Sequence, residues 1–122
     1  MLTLPPAVRV FIATDPADMR RSFDTLAMLA EQVIRQDPYS GHLFAFRNRT
    51  GDRLKILYWD RSGFCLWYKR LEEGVFRLPT GKGASVELDT SELAMILEGI
   101  DPASAKREKR YTRPRADATP SG

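Results

Sequence analysis

Residues 46–70 read FRNRTGDRLKILYWDRSGFCLWYKR, and they set Arg47, Arg49, Arg53, Lys55, Arg61, Lys69 and Arg70 against only two acids, Asp52 and Asp60. Tyr58, Trp59, Phe64, Trp67 and Tyr68 are interleaved with them. Cationic side chains bind phosphate oxygens and aromatic rings stack on bases, so this mixture suits nucleic acid. The same aromatics are also good strand formers that fill sheet cores. Arginines beside them can serve only to keep a sheet edge soluble. Two readings stand: a sheet core with a decorated edge, or a nucleic-acid surface.

Other chemistry has little support. The single histidine, His42, has neither a cysteine nearby nor a serine arrangement that would make a triad. Cys65 lies between aromatic residues in a strand-like run, where packing is the ordinary role of a lone thiol. Asp15, Asp18 and Asp24 read as helix-cap and helix-face residues, and Asp52 and Asp60 as turn residues. None has the spacing of a metal-binding loop. Gly81-Lys82-Gly83 lacks the frame and the following helix of a phosphate loop. The expectation is a non-enzyme without cofactor or metal.

These residues need elements to position them. AVRVFIAT (7–14) reads as a first strand after Pro5-Pro6. Asp15-Pro16 suits a helix start, and Ser22 can cap the main body of a long amphipathic helix. Phe23, Leu26, Ala27, Leu29, Ala30, Val33 and Ile34 give its apolar stripe, and Asp37-Pro38 ends it. From His42 the hydrophobic period changes to two. LFAF (43–46), RLKILYWD (53–60) and FCLWYKR (64–70) read as strands, and GVFRLP (74–79) as a further one. TGKGASVE (80–87) is a loop that can end in a short strand. Asp89 and Glu92 form a capping box for a short helix that Gly99 stops. The fold class is α+β: an antiparallel meander of about four to five strands with one long and one short helix. It occupies residues 1–100 as a single domain, followed by a disordered basic tail at 101–122.

Turn chemistry predicts the register. A two-residue Thr50-Gly51 loop sets Arg47 opposite Leu54 and Phe46 opposite Lys55. A three-residue Arg61-Ser62-Gly63 loop sets Trp59 opposite Cys65, Leu57 opposite Trp67 and Lys55 opposite Lys69. One face then carries Leu43, Ala45, Ile56, Tyr58, Leu66 and Tyr68, the other Phe44, Phe46, Leu57, Trp59, Cys65 and Trp67. Both are basic at one end. The Lys55–Lys69 opposition is unfavourable unless an anion lies nearby, which points to a negatively charged partner.

Composition agrees with a small globular protein, at 43% hydrophobic and 29% charged residues. The net charge of +3 resides in the tail, since residues 1–100 carry 13 residues of each sign. No run approaches the ~18 apolar residues of a membrane span, and the N-terminus lacks a basic signal-peptide region. A lone cysteine fits a reducing, cytoplasmic setting.

Met19-Arg20, the helix from Ser22, Gly41-His42-Leu43-Phe44, Phe46-Arg47, Lys55-Ile56-Leu57, Gly63-Phe64 and Leu66-Trp67-Tyr68-Lys69-Arg70-Leu71 follow one another in a familiar order. Over roughly residues 8–100 the chain resembles the TnpB-type accessory protein, the second open reading frame, of bacterial insertion sequences of the IS66 family. Leu78-Pro79 stands where family members often have tryptophan before proline. The resemblance implies an accessory role in DNA transposition, with a separate transposase carrying the catalytic acids. It implies DNA (element ends or non-specific), the cognate transposase and another small accessory protein as partners, and it transfers no catalytic residue.

Within that frame Arg47, Arg49, Arg53, Lys55, Lys69 and Arg70 are the candidate DNA contacts. Trp59 and Trp67 are the candidate anchors of an alternative, a protein-interaction module that recruits or stabilises the transposase.

Overall fold

The switch of hydrophobic period at His42 marks the switch from helix to meander. The computed structural model describes residues 7–101 and 106–107. Strands β1 (Val10–Ala13), β2 (Leu43–Arg47), β3 (Arg53–Asp60), β4 (Gly63–Arg70) and β5 (Ser85–Leu88) form one sheet in the order β4-β3-β2-β1-β5. The three strands β2, β3 and β4 are the expected antiparallel meander. β1 instead runs parallel to β2, and β5 closes the other edge antiparallel to β1. A parallel neighbour requires a crossover, and the long helix between β1 and β2 provides it. All four residues of β1 are buried, as befits an interior strand covered on both faces.

Helix α1 (Phe23–Leu29) runs on into a π-helical turn at Ala30–Ile34, and α2 (Thr90–Leu97) is the shorter helix. Each helix covers one face. Leu26, Ala30 and Ile34 pack on Phe11, Phe44, Phe46 and Leu57, while Leu93, Ile96 and Leu97 pack on Val10, Ile12, Leu54 and Ile56. Alternation along the strands divides the apolar residues between the two cores. α2 starts as expected: Glu92 N–H donates to Asp89 Oδ1 at 2.8 Å, and Asp89 N–H donates to Glu92 Oε1 at 3.3 Å.

Several expectations need correction. Asp15-Pro16 does not open a helix; α1 begins only after Ser22, whose N–H donates to Thr25 Oγ1 at 3.1 Å. The long helix ends at Ile34, ahead of Asp37-Pro38, where Arg35 turns left-handed at φ 62°. Residues 74–79 are not a strand. Gly74, at φ 80°, turns the chain across the end of the sheet, where Phe76 N–H donates to Gly51 O at 2.9 Å. The Phe76 ring is 5% exposed and plugs the α2-side core. The additional strand comes from 85–88, in the segment read mainly as a loop.

The first hairpin has the expected register, with Phe46 opposite Lys55 and Arg47 opposite Leu54. The second does not. Its loop holds only Arg61 and Ser62, so Asp60 faces Gly63, Leu57 faces Leu66 and Lys55 faces Tyr68. Arg61 takes the positive φ, at 51°, and Gly63 begins β4 instead of occupying the left-handed position. A one-residue slip moves every β4 side chain to the opposite face. Trp67 therefore packs on the α2 side, while Phe64, Leu66, Tyr68 and Arg70 join the α1 side.

Of the tail expected to be disordered, Asp101, Lys106 and Arg107 are described. They contribute to a two-residue ladder of β6 (Ile100–Asp101) with β7 (Lys106–Arg107), and the rest lies outside the described residues. Among the described residues no helix is long and apolar enough to cross a membrane.

Candidate nucleic-acid interface

The basic residues gather where β2 ends, β3 begins and β4 ends, but they are not equivalent. Lys55 is only 6% exposed. Its ammonium donates to the carbonyls of Met19 and Arg21, each at 2.7 Å, and lies 4.8 Å from the centre of the Tyr68 ring. A buried ammonium must be satisfied, and here backbone oxygens of the segment leading into α1 satisfy it. The supposed Lys55–Lys69 pair does not exist. Lys69 lies on the other face and donates to Leu97 O, at 3.3 Å, on the last residue of α2. That position places a cation at the negative end of the helix dipole. Arg47 is half-buried, with Nη2 donating to Thr14 O at 2.9 Å.

Arg49, Arg53 and Arg70 are placed differently. Arg53 and Arg70 face each other directly across β3 and β4. Like charges at such a position repel. Arg70 finds Glu72, with Nη2 2.8 Å from Oε1, and Arg53 Nη1 donates to the Tyr68 hydroxyl at 3.2 Å. Arg49 projects from the β2–β3 turn and, among the described residues, has no ion pair. The turn is stiffened from within: Asn48 Nδ2 and Thr50 Oγ1 donate to Asp52 Oδ1 at 2.6 and 2.8 Å, holding the Asp52 carboxyl below its ordinary range. Two open depressions flank it. One, of about 450 Å³, is lined by Asp18, Met19, Asn48, Arg49, Thr50 and Arg53 among others. The second, of about 480 Å³, shares Arg49 and Thr50 and is bordered by Arg47.

The sequence reading missed Arg20 and Arg21, which stand beside this end. Arg20 pairs with Asp18 at 2.6 Å, and its hydrogen bonds lower the Asp18 carboxyl to about 2. Their signal was the Met19-Arg20-Arg21 run itself, which was absorbed into the expected helix start.

The remaining candidates make contacts within the fold. His42 Nδ1 accepts from Arg9 N–H at 3.0 Å, tying β2 to the segment before β1. Cys65 is half-buried beside Tyr58, whose phenol is pushed up by burial and by its hydrogen bond to the thiol. Trp59 packs with Tyr39 and Phe64, ring centres 5.1 Å from each, at the end of β3 away from the arginines. Trp67 is partly buried against the α2-side core. Among the described residues no group of three or more His, Cys, Asp or Glu could hold a metal ion.

Comparison with known proteins places this arrangement. The family model described as "IS66 Orf2 like protein" matches residues 8–107. Two proteins of Sinorhizobium fredii (strain NBRC 101917 / NGR234) are similar along most of their length. "Uncharacterized protein y4hO" is 41% identical over 101 residues, which span 83% of this chain and 88% of that one. "Uncharacterized protein y4jC" is 37% identical over 108 residues, spanning 87% and 92%. No solved structure matches the chain significantly. With the family match running from before β1 to β7, and two relatives above a third identical, the chain belongs to the IS66 Orf2-like family.

Proposed function

We propose that the protein is a non-catalytic accessory of insertion-sequence transposition that associates with DNA, or with the transposase–DNA complex, through the basic end of its sheet. The observation that carries this reading is the opposition of half-buried Arg53 and exposed Arg70, which only Glu72 offsets, with exposed Arg49 on the turn that leads into the same end of β3. Two guanidinium groups facing each other favour an anion between or above them, and a phosphodiester supplies one. Arg49, Arg53 and Arg70 make the contacts. Arg47, Lys55 and Lys69 hold the surface that presents them, because their cationic groups are already engaged by backbone carbonyls.

The test is the salt dependence of duplex binding. Each lost phosphate contact removes about 0.9 from the slope of log K against log salt, so Arg49→Gln with Arg53→Gln lowers the slope by about 1.8. Binding that ignores both salt and the double substitution overturns the reading.

A second reading rests on β4. Its eight residues form an edge strand, with β3 on one side and no described strand on the other. Such an edge can accept a strand from another protein, here the transposase. Its anchors would be Trp67, on β4 itself, and Trp59, behind it on β3. Under this reading the complex with the transposase survives nuclease treatment during co-purification. Its loss on digestion assigns the contact to DNA.

A further inference from the structure

We infer that Tyr68 is a stacking platform for an unpaired nucleobase, set beside the arginines that hold the neighbouring phosphates. This rests on the DNA reading above and deepens it, from DNA in general to single-stranded or locally opened DNA.

Tyr68 lies on the edge strand and is 47% exposed, one of the few large apolar side chains so open. The ring is nevertheless fixed. The Lys55 ammonium sits 4.8 Å from its centre, and Arg53 Nη1 donates to its hydroxyl at 3.2 Å. Lys55 is itself anchored by the carbonyls of Met19 and Arg21, so the support beneath the ring belongs to the buried fold. A side chain held at its face and its tip loses little further freedom when a ligand arrives.

The cation lies over the ring, and a side chain exposed to this degree still has ring surface to offer a second planar group. Every base offers such a face, and an aromatic next to a cationic track is the usual means of holding single strands without reading sequence. Arg70 follows two residues along on the same side of β4, opposite Arg53. Base and backbone thus have adjacent sites. Paired bases in a duplex present only their edges in the grooves, so a flat tyrosine reaches a base face only where pairing is open. Trp67, the larger ring, is turned toward the α2-side core.

Anisotropy of a labelled oligothymidine and of a matched duplex, titrated with the full-length protein, tests this. Tyr68→Leu is expected to weaken single-strand binding about 5- to 100-fold while duplex binding stays within about twofold, and Tyr68→Phe to retain most of the single-strand affinity. Equal losses on both ligands, or no loss on the single strand, overturn the inference and leave the DNA reading standing. Wild-type protein that binds neither ligand overturns both. A readout on the unaltered chain guards against misfolding of the leucine variant. Ultraviolet cross-linking to a bromouracil-substituted strand should mark Tyr68 in the mass spectrum, and cross-links confined to other residues count against the platform.

Discussion

Replacing Lys55 by methionine is expected to lower the stability of the domain by about 2–5 kcal/mol, although the substitution looks conservative for a strand. The ammonium satisfies two carbonyls at 2.7 Å each, and methionine fills the space without donating to either. A buried carbonyl stripped of its donor costs about 1–3 kcal/mol, and two part-buried ones are affected here. The loss should appear in urea unfolding as a lower midpoint with an unchanged slope. It should also increase hydrogen exchange through Met19–Arg21, since that segment is tied to the sheet by this side chain. A change under about 0.5 kcal/mol, the range of ordinary surface substitutions, would mean that water replaces the ammonium freely. The result bears on function, because DNA binding lost in a Lys55 variant would reflect the surface's support and not a phosphate contact. Arg49, which is exposed and has no ion pair among the described residues, carries no such ambiguity.

The other large effect is expected at Phe76. Its truncation to alanine should cost about 3–5 kcal/mol, as for other buried phenylalanines. The ring closes the α2-side core alongside Leu54, Leu93 and Leu97, and its backbone is pinned to Gly51 O at 2.9 Å. Residues 74–79 add no strand beside β4, so the strand bearing Tyr68 is an edge of the described sheet.

Much of the scaffold is legible in the residues. The amphipathic stripe from Phe23 to Ile34, the Asp89–Glu92 box before α2 and the first hairpin are local arrangements, each encoded by neighbours in the chain. The second hairpin is less determined. Asp60-Arg61-Ser62-Gly63 is compatible with a loop of two or of three residues, and glycine favours the longer one by offering a left-handed position. In the structure Arg61 takes that conformation instead. With the two-residue loop, Phe64 and Leu66 lie on the α1 side and Trp67 on the α2 side, an outcome the turn residues do not specify.

That single residue of register redraws the site. It separates Lys55 from Lys69, brings Arg53 opposite Arg70, and lays Tyr68 over Lys55. By itself, the sequence determined the family, most of the element types and the concentration of positive charge at one end of a sheet, because motif order, composition and short-range periodicity carry those properties. Tertiary structure alone decided which cations face solvent and which are held by carbonyls. Burial and partner geometry depend on segments far apart in the chain, such as Met19–Arg21 closing over Lys55, and no local pattern records that closure. The stretch FRNRTGDRLKILYWDRSGFCLWYKR therefore contains both a core and a surface, divided strand by strand according to which neighbours the fold supplies.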